Sequence, residues 1–247
     1  MLAGQTERRA IEMLLDVWAA RAPSSRLHIA HLADSESLPL IEDAKRAGAN
    51  VSVETCPQYL YFSESDIPDG STAHKCKPPI RTAADREALW KAAIDGRIDM
   101  ITSDHAPLTP AEKAADTGSF VDALAGISSL QLDLPVTWTA GAPRGLALGR
   151  MAELWARQPA ALAGLAGRKG SIEAGMDADL LVFDPHEEFV VDGDEFPLFS
   201  RHPTTPFLGE RLGGRVRATF VRGEIVFVDG EHSGAACGRA LLKHRDF

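Results

Sequence analysis

Short apolar strands alternate with amphipathic helices over the first 105 residues or so, and that order leaves few folds open. Residues 26–32 read as a strand and 35–47 as a helix closed by Gly48 in the left-handed position past its C-terminus. Residues 50–55 make a second strand, with Val51 and Val53 on one face. After a long polar loop at 56–81, Thr82 and Asp85 have the spacing of a capping box for a helix at 83–94. Asp95-Gly96 stops that helix before a third strand at 98–103, and a helix at 6–21 with Ile11, Leu14, Leu15 and Trp18 on one face precedes all of these. Such an order implies parallel strands joined by right-handed crossovers. Three strands do not close a barrel, which takes eight strands and about 250 residues of β/α units.

Beyond this array the pattern changes. Residues 147–165 are helical, with Met151, Leu154, Trp155, Leu162 and Leu165 as apolar positions and a break or restart at Pro159. Short strands follow at 178–183, 189–191, 216–221 and 224–228, the last two joined as a hairpin at Arg222-Gly223. The whole is of the α/β class, with a small β module at its end. No apolar run reaches the roughly 18 residues of a membrane helix, and the first segment lacks the apolar core of a signal sequence. A cytoplasmic location is the expectation. The net charge of −9 is spread along the chain without a basic cluster, which argues against nucleic acid or an anionic membrane and for a small-molecule ligand. Cys56, Cys76 and Cys237 have no metal-type spacing and read as reduced structural thiols.

In β/α arrays functional groups collect where strands end. Asp104 stands there, in Ser103-Asp104-His105-Ala106-Pro107. A carboxylate in so apolar a frame is costly to bury unless paired or metal-bound; the alternative is a turn or cap acceptor. His28 and His31 lie three apart on one strand, so their side chains point to opposite faces and at most one is a ligand. His31, nearer the strand's C-terminal end, is the candidate, against the alternative of a hydrogen-bonded core histidine. His105 points away from Asp104 and reads as structural. In Cys76-Lys77-Pro78-Pro79-Ile80-Arg81, Lys77 with Pro78 reads equally as a site for an anionic or ureido group and as a rigid loop. Asp177 and Asp179 read as turn formers. Serine-nucleophile, Walker and dinucleotide motifs are absent.

Five segments in consistent order resemble the amidohydrolase superfamily, in its cyclic amidase branch of allantoinase, hydantoinase and dihydroorotase. They are Leu27-His28-Ile29-Ala30-His31-Leu32, Glu54-Thr55-Cys56-Pro57-Gln58-Tyr59-Leu60, Lys75-Cys76-Lys77-Pro78-Pro79-Ile80-Arg81, Ser103-Asp104-His105-Ala106-Pro107 and Gly175-Met176-Asp177-Ala178-Asp179-Leu180. The resemblance implies that residues 1–172 are the C-terminal portion of a (β/α)8 barrel, about three of its strands, and 173–247 the C-terminal part of a small β-sandwich built from both chain ends. It implies a binuclear zinc site to which His31 and Asp104 contribute and a ureide or cyclic amide substrate, for which Lys77 and Pro78, from the reading of their loop, are the candidate contact.

Within the branch, allantoinases are the best match. Leu108 stands where dihydroorotases carry a histidine that contacts the substrate carboxylate, and Gly126-Ile127-Ser128-Ser129-Leu130-Gln131 and Arg201-His202-Pro203-Thr204-Thr205-Pro206-Phe207 are similar to allantoinase segments. The implied reaction opens the hydantoin ring of allantoin to allantoate. In the family pattern a metal-bound hydroxide attacks the ring carbonyl, and the residue matching Asp104 carries its proton to the leaving nitrogen.

The family's His-x-His pair, bridging lysine and further histidine all precede the segment matched here, and the eight histidines of this chain include no His-x-His. One protein ligand per ion is too few for tight binding. Two expectations follow. Either the chain is the C-terminal part of a cyclic amidase, inactive alone and completed by an N-terminal half, or it is a noncatalytic scaffold. Alone, the open edges of its parallel sheet favour self-association.

Overall fold

A computed structural model describes residues 2–194, 196–202, 204–234 and 236–242. His244, one of the eight histidines, lies outside them. The three expected strands are present and parallel. They are β1 (Leu27–Ile29), β2 (Val51–Thr55) and β3 (Met100–Ile101), in the order β1-β2-β3. Leu27 pairs with Val51, Ile29 with Val53 and Thr55 with Ile101. Helix α1 (Leu2–Arg21) precedes them, α2 (Leu38–Arg46) links β1 to β2, and α3 (Pro57–Tyr61) with α4 (Ala83–Ile94) links β2 to β3.

Alternation along β2 separates its two faces. Val51, Val53 and Thr55 are buried, whereas Ser52 and Glu54 on the other face are half-buried. The capping box of α4 forms as its spacing predicts: the Asp85 amide donates to Thr82 Oγ1 (3.1 Å), and the Thr82 amide to Asp85 Oδ2 (3.3 Å). Burial would raise the Asp85 carboxyl, but hydrogen bonds from Ser35 and Thr82 bring it below the usual carboxylate range. Gly48 closes α2 with φ +91, a conformation that suits a residue without Cβ.

The long loop is more structured than its polarity suggests. Residues 56–81 contain α3 and two single 3-10 turns, Glu64–Asp66 and Thr72–His74. The Tyr59 hydroxyl donates to the Pro78 carbonyl (2.8 Å), and the Glu64 amide to the Arg81 carbonyl (2.8 Å). Such local ties leave no period in the sequence.

A helix the sequence does not announce, α5 (Asp133–Gly141), packs its buried Val136 and Ala140 inward. Its Thr139 Oγ1 accepts from the Gly213 amide (2.8 Å). The expected break at Pro159 takes a specific form. α6 (Leu148–Ala152) runs through a π turn (Glu153–Arg157) into α7 (Gln158–Leu162), because the proline lacks the N–H a regular turn would use.

The β module is one antiparallel sheet among the described residues, not two packed sheets. Its order is β4-β5-β6-β7, with β4 Leu180–Val190, β5 Arg211–Val221, β6 Glu224–Val228 and β7 Glu231–His232. The segments expected at 178–183 and 189–191 are one strand, bridged by a register shift between Asp184 and Glu188. Arg222 and Gly223 both have positive φ, as a tight hairpin turn requires. The hydrophobic core is contiguous across the chain: Leu32, Val53, Leu89, Trp90 and Ile101 belong to the same cluster as Phe189, Val191, Phe207 and Leu212.

The thiols divide sharply. Cys56 and Cys76 are buried, and burial pushes the Cys56 thiol well up and that of Cys76 up to about 11. A thiol held neutral and covered is inert. Titration of the folded chain with an aromatic disulfide at pH 8 should therefore modify Cys237 alone, and all three cysteines should react in denaturant.

Candidate functional site

Both candidate ligands lie just past a strand end, and both adopt a backbone conformation rare for their residue types. His31 has φ +43 and Asp104 φ +47. Left-handed residues with a Cβ cost about 1–2 kcal/mol each, and such strain gathers at functional positions. The two side chains are electrostatic neighbours: burial raises the Asp104 carboxyl above its ordinary range, the His31 ring opposes this, and the Glu54 carboxylate reinforces it. Nδ1 of His31 is buried without a hydrogen-bond partner. Asp104 is exposed overall and makes no hydrogen bond with a described residue.

Several groups fix the exits of the two strands. Past β1, Glu7 of α1 accepts from the amides of Ala33 (2.8 Å) and Asp34 (3.2 Å) and pairs with Arg81 (2.7 Å). Past β3, the Thr102 amide donates to the Thr55 carbonyl (3.1 Å), and the Ala106 amide to the Ile127 carbonyl (2.8 Å). His105 Nδ1 accepts from the amides of Ser129 (3.0 Å) and Leu130 (3.1 Å), which ties the turn past β3 to residues 129–130, in keeping with the structural role expected of it. Behind this turn Asp133 is buried facing the Ser103 and Ser129 hydroxyls, without a well-formed hydrogen bond to either, and burial raises its carboxyl.

His28 is hydrogen-bonded at both ring nitrogens, Nδ1 to Ser52 Oγ (2.8 Å) and Nε2 to Glu54 Oε2 (3.0 Å). Of the two histidines on β1's segment, only His31 keeps an unpartnered ring nitrogen. Glu54 is the site-proximal residue that motif reading passed over. Its signal was the shared face of Ser52, Glu54 and His28 across a parallel pair, visible only once the register Leu27↔Val51 is known.

Lys77 is exposed and makes no hydrogen bond or ion pair with a described residue, while the adjoining Pro78 carbonyl already accepts from Tyr59 and from Cys76 Sγ (3.1 Å). Beneath this loop the buried Lys113 donates to the Lys75 carbonyl (2.9 Å), and burial lowers its pKa to about 8. A cavity of about 470 Å³ opens between residues 128–135 and the antiparallel sheet. His105, Leu134, Phe199 and Phe227 line it, and Asp104 does not. Asp177 and Asp179 are engaged by Arg168 and Lys169, and Asp179 Oδ1 accepts the Arg222 amide (2.8 Å), a turn-forming role.

These donors do not make a metal centre by themselves. Among the described residues no group of three or more His, Cys, Asp or Glu side chains could hold an ion, and a zinc site needs three or four protein ligands.

Parallel strands linked by helices, with polar side chains gathered at their C-terminal exits, define a β/α scaffold of the kind that places its functional groups at strand ends. Residues 19–226 match the amidohydrolase family, and the chain belongs to that family. It is 48% identical to an allantoinase of Arabidopsis thaliana over 243 residues, covering 96% of this chain and 48% of that protein. A probable allantoinase of Oryza sativa subsp. japonica is 46% identical, covering 90% of this chain and 44% of the relative. Among solved structures, the L-hydantoinase (dihydropyrimidinase) from Arthrobacter aurescens superposes with a TM-score of 0.81 at 31% identity, over 91% of this chain and 49% of that one. The chain thus spans about half the length of the relatives it matches. No helix among the described residues is long and apolar enough to cross a membrane.

Proposed function

We propose that this chain supplies the C-terminal half of a cyclic amidase that hydrolyses a ring C–N bond, with allantoin opened to allantoate as the reaction. On this reading β1, β2 and β3 are the last three strands of a (β/α)8 barrel within residues 1–172, and residues 173–247 are the C-terminal part of its β module. The observation that carries the reading is the pair His31 and Asp104. They are strand-exit neighbours in left-handed conformations, and one has a buried, unpartnered ring nitrogen. The names of the relatives supply the substrate class.

Asp104 is the proton carrier in this proposal. It takes a proton from the water whose oxygen bonds to the ring carbonyl carbon, and delivers it to the nitrogen released when the C–N bond breaks. A raised carboxyl pKa suits a group that must hold and return a proton. Lys77, free and exposed beside Pro78, is the contact for the ureide oxygens. Zinc is the family's expected metal, and His31 and Asp104 are this chain's donors to it; with only these two, no step is assigned to a metal. The isolated chain is inactive on this reading and needs a complementing N-terminal half, in the cytoplasm. Self-association through the open sheet edges competes with that pairing.

The test is allantoin hydrolysis and zinc content of the purified chain, alone and mixed with the N-terminal half of the Arabidopsis relative. Substoichiometric zinc and no turnover alone, with both gained in the mixture, is the expected result. Turnover by the chain alone would overturn the incomplete-site proposal. A stable but inactive pair of halves would favour the second reading, a noncatalytic scaffold, for which the missing third ligand is the specific observation.

A further inference from the structure

Glu54 lies beside both candidate ligands, and its contacts reach the exits of two strands. Its side chain is 13% exposed, and its Oε2 meets His28 Nε2 at 3.0 Å, with that ring anchored in turn by Ser52 (2.8 Å). The same carboxylate also faces the His31 backbone amide and the Thr102 hydroxyl, without a well-formed hydrogen bond to either, and Thr102 Oγ1 is left without a partner. The Glu54 carbonyl accepts from the Leu32 amide at 2.8 Å. The neighbouring Thr55 donates its hydroxyl to the Leu32 carbonyl (2.7 Å) and accepts from the Thr102 amide (3.1 Å). His31 is therefore bracketed: Glu54 faces its amide from one side and holds the next amide from the other. A left-handed histidine persists only where its surroundings over-determine it.

We infer that Glu54 is a positioning residue, bracing the exits of β1 and β3 so that His31 and Asp104 stay neighbours in their left-handed conformations. It is not itself a ligand, because its oxygen is committed to His28 and no three-donor group exists among the described residues. The bracing rests on the His28 anchor of the carboxylate and on the backbone bonds of residues 54 and 55 to both exits; what the braced groups accomplish rests on the function proposed above.

Amide hydrogen exchange of the full chain, without metal, partner or substrate, reads this directly. Glu54→Ala should raise exchange tenfold or more at residues 30–33 and 102–106 while leaving the slow amides of β4 and β5 unchanged. Glu54→Gln keeps an acceptor oxygen at the same place and should restore most of the protection. His28→Ala, which frees the carboxylate from its anchor, should loosen the same two segments to a smaller extent, and it serves as the measurement if Glu54→Ala fails to fold. Unchanged exchange at both exits, a rise spread equally over β4 and β5, or Gln as open as Ala would each overturn the inference. Because the readout involves no turnover, its failure leaves the complementation result standing, and an inactive complement leaves the bracing intact.

Discussion

Asp104→Asn should lower kcat/KM for allantoin opening in the reconstituted pair of halves by about 10²–10⁴-fold, the usual contribution of a positioned proton carrier, and leave the melting temperature of the chain unchanged. The two expectations separate for a structural reason. Asp104 has φ +47 and no hydrogen bond to a described residue, so little of the fold depends on its charge. Asparagine has the same shape and tolerates the left-handed region better than most residues with a Cβ. The substitution thus removes an ionisable oxygen and little else. Asp104→Ala would confound the experiment by adding backbone strain. Steady-state kinetics with thermal melting on both proteins decide the matter. An active Asn variant would remove Asp104 from the chemistry and leave it as a turn residue.

The largest effect on stability should come from Trp90→Ala, at about 3–5 kcal/mol. Trp90 is 1% exposed, and its indole nitrogen donates to the Leu60 carbonyl at 2.7 Å, tying α4 to α3 under the loop that carries Lys77. The packing is close on its far side too. A Cβ at Gly141 would lie 2.7 Å from the ring's Cη2 and 2.6 Å from Leu146, so the glycine gives room to the tryptophan rather than flexibility to α5. Truncation leaves a ring-sized cavity and a buried carbonyl without its donor, and each adds to the cost. Domains are stable by about 5–15 kcal/mol in total, so the variant should be marginal in urea denaturation. Trp90→Phe keeps most of the volume and loses the hydrogen bond, with an expected cost near 1–2 kcal/mol. Equal losses for the two variants would show that the hydrogen bond, not the packing, dominates.

The elements legible in the sequence were those governed by neighbours in the chain. The capping pair Thr82 and Asp85 opens α4 where spacing places it, and Gly48 closes α2. The valine alternation of β2 identifies its buried face. These features follow from hydrogen bonds and periodicities spanning three or four residues, which a one-dimensional reading contains. Helix α3 and helix α5 were not legible. The first is stabilised by loop contacts such as Tyr59 to Pro78, the second by packing against β5, and neither presents a clean apolar period.

The same division runs through the candidate site. Placing His31 and Asp104 at strand ends needed only the β/α alternation and the two-residue period of a strand. Choosing His31 over His28 on firmer ground than nearness to the end needed tertiary contacts, because only the register of β1 on β2 shows Ser52 and Glu54 occupying both nitrogens of His28. The left-handed backbone at His31 and Asp104, and the bracket that Glu54 builds around it, depend on groups from three strands meeting at one end of a sheet. Local sequence determines which elements form and which residues stand at their ends. Long-range pairing decides which of those residues meet, since contacts among positions 28, 52 and 54 exist only after the chain has folded back on itself.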